Sequence, residues 1–459
     1  MKKATIAFAV LLLILVGAGV YGFDWFGLKK KPPPTEKSGP EFQAIQPQVT
    51  PSGLPSAHFV RQFGTGNVEF SYEAVTDSAG NWYVIGGTAE PVASTTSSST
   101  MEPLFLVFSS TGATRRIDLT RLPFPADLDI VDLKDIAIDN DGIIYLATAV
   151  KKTVTDETGR TRDVYPVALI KYNPSSDDVS SVTLDNEVRM YKMALDKNNN
   201  AIYLTGPLPG SGTYVAKYNL NFEKVWQQPL TRGPAGEAST DREYFTVKAL
   251  AFDNTGNVYA VGDYSGPGSS LGHFLAKVSP LDGTTIKYQY FSGGIIIAGL
   301  AVDGGNNPIV VGSLSGRYGP HRTTGNARTN MIVIKFDNNF GELWSWAGGE
   351  IDYNSFRTVI ADSSNNIYVA GNMNLRTADA PAVGRSDAVI YKFSPSGAVI
   401  GSATIAEGVR RNMIDDISFD NGGHISALGV TSGNLGGEIT NRGHMDIFLI
   451  KYKTDLARF

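Results

Sequence analysis

The 459-residue chain contains no cysteine. That excludes a disulfide framework, a thiolate metal site, a cysteine nucleophile and a lipidated N-terminal cysteine. Histidine is scarce: the five are His58, His273, His321, His424 and His444, and none has the H-x-H or H-E-x-x-H spacing of a zinc site. The glycine-rich PGSGT (209–213) lacks the Lys-Ser/Thr of a phosphate loop, and no G-x-S-x-G elbow occurs. An excess of positive charge is missing too. The formal net charge is −5, and because six lysines lie before position 58 against three acidic residues, the remainder is more acidic still. A nucleic-acid binder shows the opposite balance, so no nucleic-acid partner is expected. What is abundant is punctuation: 49 glycines and 23 prolines mark many turns, hence many short strands.

One long uncharged apolar run stands at the front, from Ala4 to Phe23, between two lysines and the aromatic-basic stretch that ends in Lys29, Lys30 and Lys31. At about 1.5 Å per residue such a run spans roughly the 30 Å hydrocarbon layer, and Tyr21, Phe23, Trp25 and Phe26 fall where an interfacial aromatic belt belongs. Residues 1–28 are therefore expected to be a cytoplasmic stub and a single transmembrane helix, with a membrane partner bound through residues 4–23. The alternative is a cleaved signal peptide cut near Val16-Gly17-Ala18, which would leave the protein secreted. Residues 29–57, rich in Pro, Ser and Gln with no apolar period, read as an extended tether. The folded part, 58–459, is then extracytoplasmic, in the periplasm or on the cell surface.

Within 58–459 one phrase recurs. DSAGNWYVIG begins at Asp77, DNTGNVYAVG at Asp253 and DSSNNIYVAG at Asp362, with kindred text at Asp139, Asp196, Asp303 and Asp420. A repeat of some 57 residues is the mark of a repeat architecture. Each copy carries a strand ending at the aspartate, a tight polar turn, a second strand usually containing a tyrosine, a variable loop, and a third strand ending in lysine (Lys171, Lys217, Lys277, Lys335, Lys392, Lys451). A second turn and a fourth strand follow, which is the content of one propeller blade. The last copy stops after its third strand, IFLIKY, while HFVRQFGT (58–65) is a surplus strand before the first. Pairing of 59–64 with 446–451 would close the ring and remove two free edges. The expected fold is all-β: a seven-bladed β-propeller of four-stranded antiparallel blades, closed by the N-terminal strand and preceded by the transmembrane helix.

The phrase D-x-x-G-N-x-Y-x-x-G, with its later K-[YF] and G-x-x-W, resembles the SBBP β-propeller repeats of exported bacterial and archaeal proteins. The resemblance covers about 58–459 and implies a seven-bladed propeller without a shared enzymatic activity. Ser426 in place of the tyrosine, Val107 in place of the lysine and Thr148 in place of the closing glycine depart from it. KFDNNFGELWSW (335–346) and, more loosely, the stretch ending in Trp226 resemble the docking motif of quinoprotein propellers, which implies a tryptophan packed between blades and no cofactor.

Single residues offer little catalytic chemistry. Asp139-Asn140-Asp141-Gly142 begins like a calcium loop, but Val150 stands where its glutamate belongs. The aspartates therefore read as turn formers and the lysines as a solvated strand face. No cofactor, metal or catalytic residue is expected, and the chain reads as a non-enzyme. Variation is concentrated in the long second-to-third loops and the connections between repeats, which share one face. Arg317, Tyr318, His321, Arg322 and Arg328, with Arg376, Arg385, Arg410 and Arg411, are the candidate binding rim there. These features predict a membrane-tethered propeller acting as a protein-binding or scaffolding module in a cell-envelope or surface assembly. The alternatives are an adhesin or glycan binder on the same face, and a propeller enzyme (lyase, hydrolase or quinoprotein) using acids, bases or a metal converging from several blades on the axis.

Overall fold

A computed structural model of the chain describes residues 60–457 apart from internal stretches, of which 90–100, 120–128, 233–243, 267–271, 375–385, 406–410 and 436–443 are the longest. By internal contacts the chain divides into Met1–Ile45 and Gln46–Phe459, and everything described lies in the second unit. The expected anchor (1–28, including 4–23) and tether (29–57) fall outside the described residues. Among those described, no helix is long and apolar enough to cross a membrane.

The local pattern of the refrain is observed. At Asp253 one carboxylate oxygen accepts from the backbone N–H groups of Thr255 and Asn257, and the other accepts from Asn257 Nδ2 and Tyr259 OH. The turn thus closes on its own aspartate while the glycine takes a positive φ of 81°. Asp77, Asp139 and Asp362 repeat the arrangement with Tyr83, Tyr145 and Tyr368. At Asp139, the turn that begins like a calcium loop, both oxygens are consumed in this way.

The strands assemble into antiparallel sheets, but the expected seven separate blades are not what they form. The propeller has five discrete blades. The first runs Val68–Thr76, Trp82–Ala89, Glu102–Phe108 and Thr114–Arg116. The second has five strands, because Thr161–Val164 folds back on the long Ile144–Thr155. The third and fourth begin at Lys192–Asp196 and Tyr244–Phe252. The fifth joins Asn412–Phe419, Ile425–Thr431, Asp446–Tyr452 and the N-terminal Val60–Phe63. The copies marked by Asp303 and Asp362 make no separate blades; their strands form one eight-stranded sheet. The cause is local. Strand Asn326–Phe336 extends beyond its hairpin partner, and its first residues pair in parallel with Ile351, Asp352 and Tyr353. Buried Thr329 and Asn354 lock the join: Thr329 Oγ1 donates to the Asn354 carbonyl at 2.9 Å, and Asn354 Nδ2 donates to the Thr329 carbonyl at 2.8 Å.

The ends meet as the surplus strand predicts. Val60 pairs with Ile450 and Phe63 with Ile447, antiparallel, so the first described strand completes the last blade. The first strands of successive copies pack against one another in chain order, and Asn412–Phe419 returns against Val68–Thr76. These strands surround an axis. The apolar clusters lie between neighbouring sheets, as where Tyr203 and Trp226 meet Phe245, Phe274 and Val278. Trp226 Nε1 and Lys217 Nζ both donate to the Pro280 carbonyl of the next sheet, at 3.2 and 3.1 Å. Trp344 and Lys335 likewise donate to the Pro395 carbonyl, in the next copy of the repeat but within the same eight-stranded sheet. Tryptophan packing against the next copy is thus observed at both motif copies, and between separate sheets at Trp226.

The recurring lysines do not form a solvated face. Lys335 is only 3% exposed and sits 2.7 Å from Asp303, while Lys277 and Lys451 reach Asp253 and Asp420 at 3.3 and 2.8 Å. In these three the turn aspartate of the same copy neutralises the lysine, and burial becomes tolerable, whereas Lys217 and Lys392 donate to the Pro280 and Thr454 carbonyls.

Candidate functional site

The first strand of six of the seven copies breaks its regular alternation just before the refrain. In Val68–Thr76, Tyr244–Phe252, Ile295–Val302, Ile351–Ala361 and Asn412–Phe419 the register slips by one residue, at Tyr72, Lys248, Ala298, Arg357 and Asp415. Such a bulge bends the strand and re-aims side chains. The closing glycine of the refrain exists for it. A Cβ on Gly86, Gly206, Gly262, Gly312, Gly371 or Gly429 would fall far inside van der Waals contact of a carbonyl oxygen two residues before the bulge position. Thr148, which replaces that glycine in the second copy, instead donates from Oγ1 to the Asp132 carbonyl at 2.6 Å, and its partner strand carries a second register slip.

At the bulges the copies cease to resemble one another. The residue four before each marker aspartate is Glu73, Asp135, Lys192, Ala249, Gly299, Thr358 or Asp416, and the one before that is Tyr72, Lys134, Tyr191, Lys248, Ala298, Arg357 or Asp415. Several of these meet. Lys192 Nζ lies 3.1 Å from Glu73 and also pairs with Asp135, and the Met193 N–H donates to the second Asp135 oxygen at 2.6 Å. Lys192 and Glu73 belong to the third and first copies, so their contact reaches past the intervening strand into the axial space. On the other side, Arg357 pairs with Asp415, which also accepts from Ser71 Oγ at 2.7 Å. Asp416 accepts from Thr358 Oγ1 at 3.1 Å and from the Ala74 N–H at 3.4 Å. Lys248 completes the circuit, bonding Asp263 at 2.7 Å and the Ile297 carbonyl of the next copy at 3.2 Å. His273 Nδ1 stands 2.8 Å from the same Asp263.

These groups are deep in the ring yet not sealed: the Glu73 and Lys192 side chains retain 29% and 25% of their exposure, whereas Asp135 retains 1%. Proton affinities diverge accordingly. Burial drives Asp135 well above the usual carboxylate range, its Lys192 contact notwithstanding. Burial pushes Glu73 the same way, but Lys192 and hydrogen bonds outweigh it and leave Glu73 below its ordinary value. Lys192 is desolvated too, yet its two carboxylate neighbours raise it. Asp415 is raised by burial against the pull of Arg357, and Asp416 is pushed up to about 7 by burial and the nearby Glu73 charge. One carboxyl poised near neutrality beside an ionised carboxylate and an ammonium is an arrangement able to exchange protons with a bound polar molecule. Among the described residues no three His, Asp or Glu side chains are grouped as a metal ion would need.

The expected rim is partly elsewhere. Arg317–Tyr318 and His321–Arg322 form a two-stranded hairpin that leans back on strand Glu342–Gly348. Tyr318 OH donates to Glu342 at 2.7 Å, and His321 Nε2 lies 3.0 Å from Ser345 Oγ. Arg317 and Arg322 remain exposed, and Arg317 borders a cleft of about 470 Å³ with Gln289, Tyr290 and Phe291. Arg328 lies over the Tyr353 ring and donates to its hydroxyl at 2.9 Å. Arg411 acts instead on the axial group, where its charge helps hold Asp415 down. Arg376, Arg385 and Arg410 lie outside the described residues. The axial residues escaped the sequence reading, although aligning the copies on their aspartates exposes two columns that change charge from copy to copy.

No family model matches the chain, so the repeat resemblance has no such support, and no curated protein matches it. Among solved structures it is similar to the β-propeller domain of the Trilobed protease from Pyrococcus furiosus, at 10% identity over 85% of this chain and 100% of that one, with a TM-score of 0.43. Polysaccharide lyase Uly1 is similar at 8% identity, over 85% and 90%, with a TM-score of 0.47. A protein from Lactobacillus plantarum is similar at 10%, over 84% and 99%, with a TM-score of 0.42. Likenesses this remote assign no activity; the propeller rests on the sheet topology itself.

Proposed function

We propose that the chain is a binding propeller, exported and held at a membrane by residues 4–23, that engages a protein partner through its long-loop face in a cell-envelope or surface assembly. One contrast carries this reading. On the aspartate-turn face the recurring carboxylates, tyrosines and lysines are consumed by one another, as at Asp253, Tyr259 and Lys277. On the long-loop face Arg317, Arg322 and Arg328 are exposed and belong to one copy alone, and exposed arginine is well suited to partner contact. The test is co-purification from native membranes with wild type and with the double variant Arg317→Glu, Arg322→Glu. A stoichiometric protein lost from the variant supports the reading; a partner retained by the variant, or a glycan bound instead, overturns it.

A second reading, an enzyme of the axial channel, is favoured by one specific observation: Asp416, Glu73, Asp135 and Lys192 converge from separate copies with proton affinities driven apart. A screen of hydrolase and lyase substrates decides it. Turnover by wild type that is abolished in Asp416→Asn would establish the enzyme, and no turnover on any substrate would dismiss it.

A further inference from the structure

At three successive joins of the ring the same two positions hold buried polar side chains. The first stands on a first strand, two residues before the one that faces the closing glycine: Asn354, Asn412 and Glu69. The second stands on the third strand of the preceding copy, facing the residue two beyond its closing glycine: Asn330, Asp387 and Asp446. None of the six is more than 3% exposed. The two positions are neighbours. Thr329 opposes Tyr353 in parallel, Asn412 donates its N–H to the Ser386 carbonyl, and Glu69 donates its N–H to the Met445 carbonyl. Val68 and Met445 form a parallel bridge, so the next residues, Glu69 and Asp446, stand side by side on one face. Two amides thus meet at one join, and an amide and a carboxylate at the next. At the join that closes the ring there are two carboxylates.

The connection 64–67 crosses over this pair. The Asp446 carboxylate is pressed against Gly64 so closely that no Cβ fits there. Thr65 Oγ1 donates to Glu69 Oε1 at 2.5 Å, and Thr88 Oγ1 donates to the same oxygen at 3.1 Å. Gln62 Nε2 donates to Asp446 Oδ2 at 2.7 Å and to the Gly433 carbonyl at 3.2 Å. Two buried acceptors are left over: Glu69 Oε2 and the Gln62 amide oxygen take no hydrogen bond among the described residues. No described lysine or arginine pairs with Glu69. A buried carboxylate oxygen with neither donor nor countercharge is costly.

We propose that this join binds calcium, held between the Glu69 and Asp446 carboxylates with the Gln62 amide oxygen as a further ligand. The ion supplies the charge that Glu69 lacks and gives both unused acceptors a partner. The donor set is oxygen alone, which suits a hard cation. Calcium takes about six to eight oxygens and accepts amide, hydroxyl, backbone and water oxygens beside its carboxylates. Two carboxylates therefore suffice here, where a grouping of three acids or histidines does not occur. The ring does not depend on the ion. The apolar cluster of Trp82, Leu104, Met413, Leu428 and Leu449 lies at the same join, and Trp82 Nε1 donates to Ser426 Oγ, so the calcium-free chain should stay folded.

Titration calorimetry of the full chain, stripped with EDTA and then given Ca²⁺, tests this. Wild type should bind one Ca²⁺ per chain, with a Kd in the range of about 0.1–1 mM found for extracellular modules. Its thermal midpoint should rise as Ca²⁺ is added. Glu69→Gln places at this join a neutral amide of the kind that Asn354 and Asn412 already carry at theirs. It should bind Ca²⁺ at least about ten-fold more weakly, ignore Ca²⁺ in thermal unfolding, and in EDTA equal or exceed the wild-type midpoint. Asp446→Asn, which copies Asn330, should behave alike and serves should Glu69→Gln fail to fold. Asp141→Asn, in the turn that begins like a calcium loop, should bind as wild type does. No binding and no midpoint shift in wild type up to about 10 mM Ca²⁺ overturns the proposal. So does binding that survives both Glu69→Gln and Asp446→Asn, or binding lost only in Asp141→Asn.

Discussion

Lys192 Nζ lies 3.1 Å from Glu73 Oε2, although the two residues are separated by a whole intervening copy of the repeat. Replacing Lys192 by Met would keep the bulk of the side chain and leave two carboxyl groups facing each other without a cation. Removing one partner from a buried ionic cluster costs about 3 kcal/mol. The Lys192→Met variant should lose about 3 kcal/mol of unfolding free energy, read in urea as a lower midpoint with an unchanged slope. A midpoint equal to wild type would mean the cluster contributes nothing to holding the inner strands.

Gly262 sits beneath the Thr246 carbonyl so closely that no Cβ fits. Gly262→Ala should cost about 3 kcal/mol, because backbone atoms on both sides must shift. Gly304→Ala is the control: its turn position meets only the end of the Asn365 side chain, at 2.9 Å, and it should cost under about 1 kcal/mol. Thermal unfolding of the two variants separates close approach at the bulge from a general glycine effect.

The two kinds of carboxylate pull stability in opposite directions with pH. Asp253, Asp263, Asp303 and Asp420 are held below the ordinary value despite burial, by hydrogen bonds at Asp253, by His273 and Lys248 at Asp263, and by Lys335 and Lys451 at Asp303 and Asp420. Their stabilisation is present above the unfolded value of about 3.9 and is lost as pH falls through their lower folded values. Asp135, Asp415 and Asp416 are raised. Their contribution is complete below about 3.9 and is lost as pH climbs, through about 7 for Asp416. Urea midpoints should therefore be highest at about pH 5, lower at pH 8 and lower again in acid. In Asp416→Asn the decline toward pH 8 should shrink while the acid limb stays.

Much of the architecture was legible because it is written in backbone chemistry. The aspartate turns follow from residues that accept backbone N–H groups, and the closure follows from a strand missing at one end and surplus at the other. The blade count was not legible. Thr329 and Asn354 fuse two copies into an eight-stranded sheet through a parallel pairing that no turn signal announces. Period-two alternation also hides the axial residues: beside its bulge Glu73 leaves the alternating pattern, so it reads as an ordinary solvent-facing charge. Lys335 was misread for a related reason, since its neutralising partner, Asp303, lies two strands away within the same copy. Arg317 and Arg322 were legible as exposed because nothing in their loop could cover them, but Tyr318 and His321 turn back onto their own sheet.

The account stands on the closed ring, and the absence of cysteine makes that directly measurable. Arg61 and Leu449 are paired across the seam, within the reach of a disulfide for directly opposed strand residues. The double variant Arg61→Cys, Leu449→Cys carries no competing thiols and, under mild oxidation, should form one intramolecular bond almost completely, seen as a two-proton mass loss and faster migration on a non-reducing gel. Free thiols that persist, or links that form only between molecules, would show that the N-terminal strand does not complete the last blade.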